Sequence, residues 1–205
     1  MNPLRADLQI VADWVEHGQR VLDLGCGDGE LLRYLFDSRQ ATGYGLEIDP
    51  EGITQSIANG VNVIESDLDE GLSDFEDGAF DQVILTQTLQ AVQRPDELLR
   101  EMLRVGREGI VTFPNFAYYR LRYHLAVRGR MPMSDALSYA WYETPNIHFC
   151  TIHDFEALCR ELGIRILERR VVSHDLKEPP LARLLPNLFG EVAVYRICRA
   201  RVEGG

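Results

Sequence analysis

Residues 21–30, Val-Leu-Asp-Leu-Gly-Cys-Gly-Asp-Gly-Glu, restrict the possible folds more than any other stretch of the chain. Val21, Leu22 and Leu24 make a short apolar run that encloses one acid, Asp23, and Gly25, Gly27 and Gly29 follow at alternate positions. The run predicts a buried strand. Glycines open backbone angles closed to other residues, and they remove the Cβ that would keep main chain away from a ligand. Leu31, Leu32, Leu35 and Phe36 come next at helical spacing. Strand, glycine turn and helix in that order open an α/β sheet, which takes its ligands at the carboxyl edge of parallel strands.

Spacing narrows the ligand. The dinucleotide fingerprint G-x-G-x-x-G wants glycine where this chain has Glu30, and no Lys-Ser or Lys-Thr pair follows to complete a P-loop. Asp23 places a negative charge against the loop, which suits a cationic ligand better than a pyrophosphate. The pattern Asp23-x-Gly25-x-Gly27-x-Gly29 resembles in full the first motif of Rossmann-like S-adenosylmethionine (SAM) dependent methyltransferases. That likeness implies a seven-stranded, mostly parallel α/β sheet with helices on both faces and an antiparallel last strand. It also implies a helical or irregular lid inserted after strand five, and SAM or S-adenosylhomocysteine (SAH) as cofactor.

The rest of the chain fits alternating strands and helices. Leu4, Leu8, Val11 and Val15 predict a covering helix over residues 3–17, with Gly18 as its stop. A second strand over residues 41–49 carries Glu47 near its end, and Asp49-Pro50 supplies an N-cap and first-turn proline for a helix through Ala58. At that strand end the Glu47 carboxylate lies beside the glycine loop, where its two oxygens can accept hydrogen bonds from both hydroxyls of a ribose. The plain alternative is a surface glutamate. A third strand over residues 61–66 ends at Asp67-Leu68. The resemblance implies that Asp67 meets an adenine amino group and that Leu68 packs on the ring, while the acid-rich run 67–77 can also be read as a solvated turn.

Residues 80–85 predict a fourth strand, and the resemblance implies that Thr86 and Gln87 at its end pass the methionine part of the cofactor. Residues 95–105 predict a helix stopped by Gly106, and residues 109–113 a fifth strand broken by Pro114-Asn115. Alternation then ceases. Residues 115–150 are aromatic and basic, with Arg120, Arg122, Arg128 and Arg130 against Asp135 and Glu143, a net charge of +2 in a chain of net −11. An insertion here should roof the carboxyl edge, as a lid or as an interface. Thr151 reads as the N-cap of a helix over residues 152–162, and residues 164–173 and 191–199 as the last two strands.

At 205 residues the chain reads as a single methyltransferase-like domain, 1–205, with 115–150 as the insertion. The acidic balance argues against nucleic acid and anionic membranes as partners. No apolar run nears the roughly 18 residues of a membrane span, and residues 1–19 do not read as a signal peptide, so the expected location is cytoplasmic. Cys26, Cys150, Cys159 and Cys198 are scattered and are expected to be reduced thiols. His148, Cys150 and His153 straddle a helix start, so no metal site is expected. His124, His148, Tyr118 and Tyr119 occupy the region of a methyl acceptor, but no residue is marked as a catalytic base, and the acyltransferase pattern G-x-S-x-G is absent.

A narrower likeness runs through QTLQAVQRPDELLREMLRVGREGIVTFPNF, RGRMP and WYETPNIHFCTIHDFEALC. Together these segments resemble the MetW family of bacterial methionine biosynthesis proteins over nearly the whole chain. The resemblance implies a SAM/SAH-binding protein of methionine biosynthesis that acts with, or regulates, a homoserine O-acyltransferase (MetX). The alternative is an active methyltransferase for a small carboxylate-bearing metabolite.

Overall fold

The computed structural model describes residues 4–134, 136–137, 139–172 and 180–200. Asp135 and residues 3 and 173, the ends of two ranges given above, lie outside that set. Seven strands form one sheet: β1 (Arg20–Leu24), β2 (Thr42–Glu47), β3 (Val63–Glu65), β4 (Phe80–Thr86), β5 (Gly106–Pro114), β6 (Ile164–Val172) and β7 (Val192–Arg199). Their order is β3-β2-β1-β4-β5-β7-β6. All neighbours are parallel except β7, which runs antiparallel to both β5 and β6. The expected antiparallel last strand is therefore present, and β6 keeps the direction of the first five.

The helices are α1 (Ala6–Trp14), α2 (Glu30–Arg39), α3 (Pro50–Ala58), α4 (Pro95–Val105), α5 (Tyr119–Arg128), α6 (Ile152–Glu161), α7 (Pro180–Leu184) and α8 (Pro186–Phe189). They divide between the two faces because strand side chains alternate. Leu22, Leu24, Val83, Leu85, Val111 and Phe113 join one core with α4 and α6, whereas Val21, Ile84 and Ile110 join a second core with α1 and α2. Among the described residues no helix is long and apolar enough to cross a membrane.

Local chemistry sets the boundaries. In α3 the Asp49 side chain accepts the Gly52 N–H at 2.9 Å with Pro50 in the first turn, and α6 opens on a capping box in which Thr151 and Asp154 accept each other's backbone N–H groups. α1 is shorter than expected. It ends at Trp14 because Val15 turns extended and buries its side chain, and Gly18, at φ +76°, instead directs the chain into β1. β3 keeps only residues 63–65 of the expected 61–66, as an edge strand with a single neighbour. Gly106 ends α4 but is also the first residue of β5, and a Cβ there would lie 2.5 Å from a Val83 methyl.

The acid-rich run is gathered by one cation. Arg104 on α4 donates to the Leu72 and Phe75 carbonyls and to the Asp77 carboxylate, each at 2.8 Å, and is clasped by Glu101. Those bonds raise the guanidinium pKa and hold the Glu101 carboxyl below its ordinary value. Leu72, Phe75 and Asp77 are thus tied to α4, while Asp69, Glu70, Asp74, Glu76 and Asp77 stay exposed, as a solvated turn leaves them.

Candidate functional site

Strand order reverses between β1 and β4, so the carboxyl ends of these two strands border the crevice in which open α/β sheets bind ligands. The structure brings the sequence-predicted residues to that edge from adjacent strands. Asp23 lies in β1 and the three glycines follow that strand, Glu47 ends β2, Asp67 and Leu68 follow β3, Thr86 ends β4 and Gln87 comes next.

The glycine turn is built by its neighbours. Gly25 and Cys26 donate their N–H groups to the Leu46 carbonyl at 2.8 and 3.0 Å. Gly27 donates to Glu47 Oε2 at 2.7 Å, and the other carboxylate oxygen accepts the Ile48 and Asp49 N–H groups at 2.9 Å each. From α3, Ser56 donates to the Gly27 carbonyl at 2.9 Å and Asn59 to the Asp28 carbonyl at 2.8 Å. Glu47 thus closes its own strand end and the glycine turn with one charge, which strengthens each bond.

Gly25 and Gly27, at φ +73° and +57°, serve different ends. A Cβ on Gly25 would stand 2.8 Å from Thr88 Oγ1, so this glycine admits the loop after β4. A Cβ on Gly27 would meet nothing within 4 Å, so here the main chain borders open space. Ser56, Asn59 and Thr88 were not singled out from sequence. A signal existed for Ser56: Gly52 and Ser56 put two small residues one turn apart on α3, and a Cβ on Gly52 would lie 3.0 Å from the Gly27 carbonyl, the mark of a close approach.

Beside the turn, Ser66 donates to the Glu47 carbonyl at 3.0 Å, which holds the tip of β3 against that of β2. Asp67 Oδ1 then accepts the Asp69 N–H at 2.9 Å and caps a single 3₁₀ turn, Leu68–Glu70, while Leu68 packs half-buried on the main core. On the other side Gln87 takes φ +51°, a left-handed conformation costly for a residue with a side chain. Its N–H donates to the Thr112 carbonyl at 2.9 Å and its side-chain amide to the buried Asp7 carboxylate at 3.0 Å, while its carbonyl accepts Gln90 Nε2 at 2.8 Å. Asp7 and Gln90 carry no motif that sequence reasoning could use.

Two buried acceptors at this edge lack donors. Among the described residues Asp23 Oδ1 and Gln90 Oε1 have no hydrogen-bond partner. Burial first, and the Glu47 charge second, push the Asp23 carboxyl up to about 7. The Cys26 thiol is pushed up to about 12 by burial and then by Asp23, so it is a poor nucleophile. A ligand that carries ammonium donors on one end and ribose hydroxyls on the other fits this set of acceptors.

The 115–150 segment leaves and rejoins the sheet at one point, where Phe116 donates to the Cys150 carbonyl at 3.0 Å, and Ile147 and His148 donate to the Gln90 carbonyl at 2.9 and 3.0 Å. Tyr118, Leu121 and Leu137 form its own small core with Phe116. A cleft of about 250 Å³ runs beside α5, lined by Tyr118, His124, Met133 and Glu191 among others. His148, Cys150 and His153 have separate partners, Gln93, Thr151 and Asn187, and among the described residues no group of three His, Cys, Asp or Glu side chains is placed to hold a metal ion.

Comparison with known proteins places this geometry. The sequence profile of the family described as methionine biosynthesis protein MetW matches residues 5–197. The bifunctional methionine biosynthesis protein MetXA/MetW of Rhodopirellula baltica is 41% identical over 96% of the chain, a match that takes up 33% of that protein. The chain thus spans about a third of the length of this curated relative. Among solved structures, a SAM-dependent methyltransferase from Mesorhizobium loti superposes with a TM-score of 0.69 at 15% identity, covering 95% of this chain and 98% of that one. The cyclase SpnF superposes with a TM-score of 0.65 at 18% identity, covering 94% and 80%. At such identities the likeness shows the fold alone, and one fold that serves methyltransferases and a cyclase does not fix a reaction.

Proposed function

The chain belongs to the MetW family of methionine biosynthesis proteins, and from that premise we propose that it binds SAM or SAH and acts with, or regulates, a homoserine O-acyltransferase of the MetX type. The observation that carries the cofactor reading is the junction of Gly27 and Glu47: bare main chain with positive φ on one side, a charged acceptor on the other, 2.7 Å apart. Each carboxylate oxygen has two acceptor positions, and Oε2 spends one on Gly27, which leaves room for a ribose hydroxyl. Asp67 would accept the adenine amino group, Leu68 would pack on the ring, and Thr86 and Gln87 would border the amino-acid tail. Asp23 supplies the buried charge for an ammonium group. Bound SAM carries an electrophilic methyl group on a sulfonium, and the protein's own part is to hold it in place.

The partnership is supported by the relative in which MetXA and MetW names are joined in one protein. Acyl transfer itself is assigned to the partner, since the chain has no nucleophile elbow. A second reading, an active methyltransferase for a small carboxylate-bearing metabolite, is favoured by the cleft beside α5 with Tyr118 and His124 in its wall. Calorimetry with SAM and SAH, followed by acyl-transfer rates of purified homoserine O-acyltransferase with and without this chain, tests the proposal. Binding of either nucleoside and a raised acyl-transfer rate are expected. Absence of both overturns it, and steady release of SAH from SAM with a metabolite extract selects the second reading.

A further inference from the structure

Most of the described arginines outside residues 115–150 pair with acids, though Arg20, Arg160, Arg165 and Arg199 do not. Among the described residues ten arginines outside this segment sit within 4.0 Å of a carboxylate, as Arg33 does with Asp37 and Arg100 with Asp96. Among the same residues Arg128 and Arg130 make no ion pair or hydrogen bond, Arg122 donates only to the Ala117 carbonyl, and Arg120 rests on Tyr119. In a chain of net −11, Arg128 and Arg130 have no internal acceptor among the described residues, and Arg120 and Arg122 have only a hydroxyl and a carbonyl.

Their placement is ordered. Arg120, His124 and Arg128 recur every four residues, so they share one face of α5, and Arg130, Met131 and Met133 fold back beside it. Two concavities of about 250 and 540 Å³ meet there and share His124 and Met133. On the adjoining face Tyr123 and Val127 are 68% and 63% exposed, and only Leu121 of the helix is buried. Of the eighteen large hydrophobic side chains exposed among the described residues, eleven fall within residues 119–149. Apolar side chains bordered by unpaired arginines are the composition of a protein interface, since guanidinium groups bind carboxylates bidentately and methionines adapt to a partner's contour.

We propose that this side of α5, with residues 130–133, docks a carboxylate-bearing, partly apolar surface of the acyltransferase, an inference that rests on the partnership proposed above. Charge complementarity selects that occupant. A symmetric pair of copies of this chain would set the basic patch with Arg128 and Arg130 against itself. Nucleic acid is disfavoured by the acidity of the remaining surface.

The test uses the homoserine O-acyltransferase of the same genome, immobilised, with binding of the full chain read by interferometry. Arg128→Glu/Arg130→Glu and Tyr123→Ser/Val127→Ser should each weaken binding at least about 10-fold. Added salt should weaken the wild-type complex more than that of the charge-reversed variant. Melting temperatures of the variants report whether they fold. Amide exchange on the wild-type complex should show protection of residues 119–128, a readout that needs no variant. Wild-type binding with unaltered variants, or with no protection of α5, overturns the docking face and leaves the partnership standing. No wild-type binding at micromolar concentrations overturns both. Light scattering that shows a self-association lost in the variants assigns the face to a second copy and also overturns the inference.

Discussion

Glu47 has two assigned duties, and substitution separates them. Its carboxylate accepts N–H groups from Gly27 at 2.7 Å and from Ile48 and Asp49 at 2.9 Å. Ile48 and Asp49 are exposed, so water replaces those bonds at little cost, whereas Gly27 is half-buried. In Glu47→Ala the charge-assisted bond to Gly27 is lost, at about 1.5–3 kcal/mol. For a domain of this size each kcal/mol shifts the melting temperature by roughly 2–4 °C, so a fall of about 3–12 °C is expected. The same variant has no acceptor for the ribose hydroxyl that Oε2 has room for, and the loss of that one charge-assisted bond should weaken SAH binding by at least about 10-fold. Glu47→Gln is intermediate. Its oxygen can turn to Gly27, but its NH₂ then faces the Ile48 and Asp49 donors, so a loss of affinity and a fall in melting temperature both smaller than those of Glu47→Ala are expected. Calorimetry with SAH and differential scanning fluorimetry measure the two effects. If Glu47→Ala melts lower yet binds SAH as tightly as wild type, the carboxylate only holds the turn, and the ribose assignment is wrong.

Three further outcomes follow from single sites. Asp23 has its pKa raised to about 7, so between about pH 4 and pH 7 the folded chain binds the extra proton and stability falls as pH rises through that window. Asp23→Asn, which cannot ionise, should therefore show a shallower loss of melting temperature from pH 5 to pH 8 than wild type, and parallel profiles would refute a buried titrating acid. Gly25→Ala and Gly27→Ala should diverge: the first sets a methyl 2.8 Å from Thr88 Oγ1 at φ +73° and should destabilise by about 1–3 kcal/mol, while the second carries only the cost of its φ and should instead weaken SAH binding. Equal effects of the two on calorimetry and melting would refute the distinction. Thr151→Ala removes half of the α6 capping box and should cost about 1 kcal/mol in urea unfolding with no change in SAH affinity.

How much of this was legible in the sequence depends on whether the cause of a feature is local. The turn after β1 and the start of α3 were readable, because glycine spacing and Asp49-Pro50 act within a few residues of themselves. Gln87 was not. Nothing in its residue type announces a left-handed backbone, which is held by Thr112, 25 residues on, and by Asp7, 80 residues back. The clasp on the acid-rich run is a like case, since Arg104 lies on α4 and reaches Leu72 across 32 residues. The tips of strands and the loops between them are fixed by partners remote in sequence, and local pattern is silent about those.

α5 was illegible for a different reason, and that reason bears on what the helix does. A helix is recognised by an apolar stripe on its inward side, and α5 buries only Leu121, with Tyr123, Leu125 and Val127 exposed. Its apolar residues are too many for a solvated helix and wrongly phased for this core. Arg128 likewise has no carboxylate partner among the described residues, unlike Arg33 on α2 and Arg100 and Arg104 on α4. Local propensity, packing and charge agree along α2, α4 and α6, and they disagree along α5 when this chain is taken alone. Disagreement across levels in a natural protein marks a functional element. A partner that supplies both the carboxylates and the apolar cover would restore agreement on every count, whereas a lid that served only to roof the cleft would have no use for Tyr123 and Val127 on its outer side.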